Sequence, residues 1–413
     1  MRVVLAGYGS RGDVEPLIAL AAALRTAGAE AVVCVPPDEE FENRLADHGV
    51  PFVAFGQSVR ELVTSGRADP PTVAAALVGE WFGPVARAAE GADVLVATGL
   101  MPAGARTVAE HLGLRYVLAM FHTISLPSPH RRPAGRPGRS MPPDETDNRV
   151  LWAIDAENVD AMYRPALNTH RAELGLPPVD NVRDHVYTGE LLLGADPLLW
   201  PPEELLNLEV TQTGAWILPD TRPLAPDLVA FLEAGEPPVY VGFGSMPMHT
   251  SKDIGQVAVD AVRAQNRRVL LASGWADLAQ IDSGDDCFVV GEVNQQELFG
   301  RVAAVVHHGG GGTTTTAARA GAPQVVVPQI VDQPFWARRV AELGIGAAHD
   351  GPTPTFESLS AALTTALAPE TRARAAEVAG MVRADGAAVA AKLLLGWENA
   401  LRGTPVGVPL SGF

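Results

Sequence analysis

The densest chemistry in the chain lies in Val305 to Thr314, which reads VVHHGGGGTT. A β-type run enters two histidines, passes four glycines and opens a helical pattern. Glycine lets backbone amides approach an anion closely. A helix start adds unpaired N–H groups and partial positive charge. A histidine beside such a loop can donate to a phosphate and balance charge developing on it. Together these features suit a diphosphate leaving group held without a metal. The candidates for that contact are the glycines Gly309 to Gly312, the helix start after them and His308 just before them. His307 alternates with His308 along the strand and is expected to pack inward. The competing reading is a plain strand-to-helix turn with core histidines.

A second glycine turn, Gly7-Tyr8-Gly9-Ser10-Arg11-Gly12-Asp13, also follows a strand and opens a helix. It matches the dinucleotide fingerprint G-x-G-x-x-G. An NAD site also wants an acid at the end of the second strand. The nearest here is Asp38, beyond Pro36 and Pro37. Asp13 has two readings: an N-cap with Pro16 in the first turn, or a general base. In Pro328-Gln329-Ile330-Val331-Asp332-Gln333-Pro334, Asp332 and Gln333 offer acceptors and donors for sugar hydroxyls, or an N-cap before Pro334. In Gly242-Phe243-Gly244-Ser245, Ser245 is placed to reach a phosphate. Trp275 and the Glu292-Val293-Asn294 turn would flank a base and ribose, with simple packing as the other reading of Trp275. No Asp-x-Asp metal motif follows an apolar strand, and there is neither a Walker A loop nor a G-x-S-x-G elbow.

These loops need strands and helices to hold them. Short apolar runs alternate with Ala-rich amphipathic ones, the pattern of βα units on parallel sheets. Strands are predicted at Val3 to Ala6, Ala31 to Val35, Val94 to Thr98 and Tyr116 to Ala119. A second series begins at Val239 and continues at Arg268, Cys287, Ala304 and Gln324. The expected organisation is a Rossmann-like domain over 1–218, a Pro-rich linker over 219–238, a second Rossmann-like domain over 239–385 and a final helical segment over 386–413. Two such domains would bind ligand in a cleft at the C-terminal ends of their strands. Pro127 to Asp147, with Arg131, Arg132, Arg136 and Arg139 among Pro and Gly, reads as a long solvated surface loop whose charge could meet an acidic ligand.

The chain has 413 residues, 47% hydrophobic, with a formal net charge of −17. That charge speaks against nucleic acid, which needs a basic footprint, and against anionic lipid. Cys34 and Cys287 both sit in apolar runs and are expected to be buried and reduced. The apolar run after Met1 ends at Gly7, too short for a signal-peptide core. A cytoplasmic monomer is therefore expected.

Taken in order, SRGD, GFGS, HHGGGGTT and PQIVDQP resemble GT-B glycosyltransferases of natural-product pathways. The resemblance is closest to the vancomycin-group glycopeptide antibiotic glycosyltransferases of actinomycetes. LPSPH at Leu126, TDNRVLW at Thr146 and TGAWILPD at Thr213 extend it over nearly the whole chain. It implies two Rossmann-like domains whose parallel sheets face each other across a cleft, with the last helix crossing back onto the first domain. It implies inverting, metal-independent transfer from a UDP- or dTDP-sugar co-substrate, with no cofactor. Asp13 would deprotonate the acceptor, and Ser10, Arg11 and Gly12 would lie beside the donor phosphates. Ser245, His308, Gly309 to Gly312 and Thr313 would hold the diphosphate. Glu292 and Val293 would meet the nucleoside, and Asp332 and Gln333 the sugar, with Asp332 also assisting catalysis. The acceptor would be a heptapeptide aglycone or a glycosylated form of it.

Two residues depart from that pattern. Gly311 stands where Ala or Ser is expected, a change that should be harmless. Val331 stands where a polar or small residue is expected, which bears on the donor sugar. A nucleotide-sugar epimerase, an NAD-dependent oxidoreductase, a nucleotide-sugar sensor and a glycosyltransferase acting on a macrolide or polyketide are the alternatives.

Overall fold

The computed structural model describes residues 1–65, 70–136, 138–243, 254–273 and 284–402. The chain forms two compact units. One comprises Met1–Ala195, Pro202–Leu218 and the chain from Ala384 onward; the other comprises Asp196–Pro201 and Pro219–Arg383.

The first unit holds a parallel seven-stranded sheet in the order β3-β2-β1-β4-β5-β6-β7. Its strands are β1 (Arg2–Tyr8), β2 (Glu30–Val35), β3 (Phe52–Ala54), β4 (Val94–Gly99), β5 (Arg115–Met120), β6 (Glu190–Leu193) and β7 (Val210–Gln212). Val3, Val4, Leu5 and Ala6 are all fully buried, because helices cover both faces. The helix Gly386–Arg402 packs into this unit. Its Ala387, Ala390, Ala391 and Leu394 share a core with Val3, Leu5 and Leu17. A side chain on Gly386 would strike the Gly214 carbonyl carbon at 2.3 Å.

The second unit holds a parallel six-stranded sheet in the order β10-β9-β8-β11-β12-β13. Its strands are β8 (Val239–Gly242), β9 (Val269–Ala272), β10 (Cys287–Val290), β11 (Ala304–His307), β12 (Gln324–Val326) and β13 (Gly346–Ala348). Within the Pro-rich stretch, Pro226–Glu233 is helical, and Leu228 and Leu232 join a core with Tyr240 and Phe299. The short Asp196–Pro201 segment is tied into this unit. Leu198 O accepts from Arg339 at 2.8 and 3.0 Å, and Trp200 stacks on Phe335 at 3.8 Å.

In each sheet the strand order reverses next to the first strand of the series. Ligands bind α/β sheets outside the strand C-termini at such points. The β1–β4 reversal carries the Gly9–Asp13 turn, and the β8–β11 reversal carries His307–Gly310.

The arginine-rich loop is not a free cationic surface. Arg136 pairs with the buried Asp155 at 2.8 and 3.0 Å, and Arg131 pairs with Glu203. Trp152 Nε1 donates to Arg131 O at 2.8 Å. Two of its cations are thus neutralised by carboxylates, and the loop is pinned to the helix Asn148–Glu173. Among the described residues no helix is long and apolar enough to cross a membrane.

Candidate active site

In the second unit, β11 runs directly into the glycine turn. His307 is fully buried. Gly309 N donates to its Nδ1 at 3.1 Å, so the ring proton sits on Nε2 and is donated to Gln324 Oε1 at 2.9 Å. The inward-packing histidine therefore also sets the loop's entry, a role that strand alternation alone did not reveal. Gly309 has φ +91°, and a side chain there would meet Val326 Cγ1 at 2.7 Å. A side chain on Gly310 would meet His308 Nε2 at 2.7 Å. One on Gly311 would meet Trp336 Cζ2 at 3.0 Å. The indole of Trp336 would have to give by a few tenths of an ångström to admit alanine at 311. Gly312 faces open space.

The helix Gly311–Arg319 begins at N-cap Gly310 with no side-chain cap. Its first amides have no intrahelical acceptor. His308 makes no hydrogen bond among the described residues, and its Nδ1 is buried without a partner. Burial pushes its ionisation down to about 4, opposed by the charge of Asp332. The imidazole is therefore neutral near pH 7, and neither nitrogen is spent on the described residues.

Asp332 occupies the N-cap position of the helix Gln333–Glu342, but its side chain caps nothing. Pro334 has no N–H, and Phe335 N is taken by the Asp332 backbone oxygen at 2.9 Å. The carboxylate turns instead to Trp336, whose Nε1 donates to Oδ2 at 2.7 Å. Gln333 is less versatile than expected. Its Oε1 accepts from Gln329 N at 2.7 Å and Ile330 N at 3.1 Å, which leaves its amide hydrogens as donors. His308, the glycine loop, Asp332 and Gln333 thus lie together. Glu292 and Val293 follow β10, with β9 and β8 between it and β11. The Glu292 side chain pairs with Arg222 at 3.4 Å. Asn294 caps the next helix and binds the backbone at Asp220 and Arg222. Ser245 and Trp275 lie outside the described residues.

Val331 adopts φ +53° and is 61% exposed. This left-handed conformation costs an L-residue about 1–2 kcal/mol, and a β-branched one is a genuine outlier there. Val331→Asn should relieve part of that strain and raise the melting temperature by roughly 2 °C. An unchanged or lower melting temperature would show the strain to be compensated.

In the first unit, Ser10 rather than Asp13 is the N-cap of the helix Arg11–Thr26. Asp13 is the third helical residue and closes a capping box. Ser10 N donates to Asp13 Oδ2 at 2.9 Å, and Ser10 Oγ contacts the same oxygen at 3.5 Å. Gly9 must be glycine, because a side chain would fall 2.1 Å from that oxygen. Asp13 remains half-exposed. Pro16 sits in the second turn, not the first. Arg11, expected beside phosphates, forms an ion pair with Glu40 at 2.7 Å. Gly12 is exposed. Asp38 is buried and accepts from Ser58 Oγ, Val59 N and Arg60 N at 2.6, 2.9 and 3.2 Å. Its carboxylate is spent on the start of the helix Val59–Ser65, which removes the acid an NAD site requires.

Buried histidines make stability pH-dependent. Burial lowers His185 and His308 to about 4 and His307 to about 3, all from 6.5. Each folded value is depressed, so the stabilisation is complete above pH 6.5 and is lost as pH falls toward 4. The melting temperature should be flat between pH 7 and 8 and fall steadily from 6.5 to 4.5. A flat profile across that window would contradict these burials.

The chain is similar to known proteins in sequence and in fold. A family model described as Glycosyltransferase family 28 N-terminal domain matches residues 3–83. One described as Erythromycin biosynthesis protein CIII-like, C-terminal domain, matches 270–391. Glycosyltransferase GtfE of Amycolatopsis orientalis is 54% identical, covering 95% of this chain and 97% of that protein. Vancomycin aglycone glucosyltransferase of the same organism is 52% identical, covering 96% and 97%. The solved glycotransferase of kitacinnamycin shares the fold with TM-score 0.71 and 19% identity, over 96% of this chain and 98% of that one. The architecture is GT-B.

Proposed function

Because the chain belongs to the vancomycin-group glycopeptide antibiotic glycosyltransferases, we propose that it performs an inverting, metal-independent transfer from a UDP- or dTDP-sugar to a hydroxyl of a heptapeptide aglycone or its glycosylated form. The observation that carries this reading is the unspent His308 beside an uncapped glycine-loop helix. Those amides and a hydrogen bond from the neutral imidazole stabilise the charge that develops on the nucleoside diphosphate as the C1–O bond breaks. Asp332 and the Gln333 amide hold the sugar hydroxyls. Glu292 and Val293 meet the nucleoside by their backbone. Asp13 removes the acceptor proton as the new O–C1 bond forms on the opposite face of the sugar, so the anomeric configuration inverts. Ser10 and Gly9 fix that carboxylate.

NMR of the product made in excess EDTA tests the reading. An anomeric coupling of configuration opposite to the donor supports it. Retained configuration, or activity restored only by a divalent ion, refutes it.

A further inference from the structure

Trp336 touches both halves of the second unit's site. Its indole is 2% exposed. Trp200 packs edge-on against it at 5.1 Å, so the ring is held in one place. One edge lies under Gly311, the first residue of the glycine-loop helix, where even a methyl group would come within 3.0 Å. Its Nε1 donates to Asp332 Oδ2 at 2.7 Å. Asp332 is four residues earlier, the spacing that stacks side chains on one helix face. Oδ1 of Asp332 accepts no bond among the described residues. The carboxylate is therefore held by one oxygen and offers the other.

We propose that Trp336 is a positioning residue for sugar transfer. Its rigid N–H selects one rotamer of Asp332 and keeps that carboxylate in register with the diphosphate loop packed against the same ring. This rests on the reading of Asp332 as the sugar-holding residue. A half-buried carboxylate at an N-cap would otherwise turn toward backbone amides. Pro334 removes one such amide and the indole supplies the replacement. A hydrogen bond to a charged group of this kind accounts for an effect of about tenfold or more when lost.

The test uses the full chain and the nucleotide sugar that the wild type turns over from a panel of UDP- and dTDP-hexoses and deoxyhexoses. Trp336→Phe keeps a ring but removes the donor. It should lower kcat/KM for the nucleotide sugar about tenfold, while calorimetric affinity for free UDP or dTDP stays within about twofold of wild type. Asp332→Asn should be impaired on its own, and Trp336→Phe should add nothing in that background. If Trp336→Phe fails to fold, 3-benzothienylalanine at 336 keeps the indole shape without the N–H and is read the same way. Wild-type kinetics in the substituted enzyme would overturn the proposal. So would a parallel loss of free-nucleotide affinity, or losses that multiply in the double variant, since either marks a merely structural role. Wild-type behaviour of Asp332→Asn would instead refute the assignment of Asp332 to the sugar, which separates the two failures.

Discussion

Asp13→Asn should lower turnover by about 10²–10⁴, the range expected when a positioned general base is removed, while donor affinity stays close to wild type. The amide is nearly isosteric with the carboxylate. Its oxygen still accepts from Ser10 N, the bond that Asp13 Oδ2 now makes at 2.9 Å. The capping box therefore keeps its backbone half, and the helix Arg11–Thr26 stays anchored. What is lost is the negative charge and with it the ability to take a proton. Single-turnover kinetics with calorimetry of donor binding separates the two effects. Equal turnover in the variant would remove Asp13 from the chemistry. A parallel loss of stability would assign the residue to the cap alone.

His308→Ala should reduce donor affinity and turnover together, with kcat lower by about 10²–10³, as when one preorganised donor to developing charge is deleted. The cost to the free protein should be small, because His308 makes no hydrogen bond among the described residues and its Nδ1 is already unsatisfied. This contrasts with His307. Removing that ring would orphan Gly309 N and the Gln324 side chain inside the core and cost about 1–3 kcal/mol. The two neighbours thus separate function from stability. Unchanged calorimetric affinity for nucleoside diphosphate in His308→Ala would contradict its assigned role.

Buried strands were the most legible part of the sequence. β1, β2, β4 and β11 are unbroken apolar runs because both faces of a parallel sheet are covered. The edge strands β7 and β13 were not, although β10, also at an edge, was. Each is three residues long: β7, Val-Thr-Gln, is too short to show an alternation, and β13, Gly-Ala-Ala, has no β-type composition. β13 is specified by tertiary contact: a side chain on Gly346 would strike Gln324 O at 1.9 Å. The glycine loops were visible because few other uses explain four successive glycines. The partners of charged groups were not visible. Arg11 with Glu40 and Arg136 with Asp155 are 29 and 19 residues apart in sequence, and only the fold pairs them. Ser10 took the cap assigned to Asp13 because residue types at a helix start do not say which one turns first. Trp336 was overlooked although its four-residue spacing from Asp332 is readable, since an aromatic in an amphipathic helix ordinarily signals packing.

Mass spectrometry of a heptapeptide aglycone incubated with UDP- and dTDP-sugars is the most direct check on the central claim. The acceptor should gain the mass of one sugar residue, with one equivalent of nucleoside diphosphate released. Diphosphate release without an acceptor adduct, or an isomerised donor with no release, would contradict it.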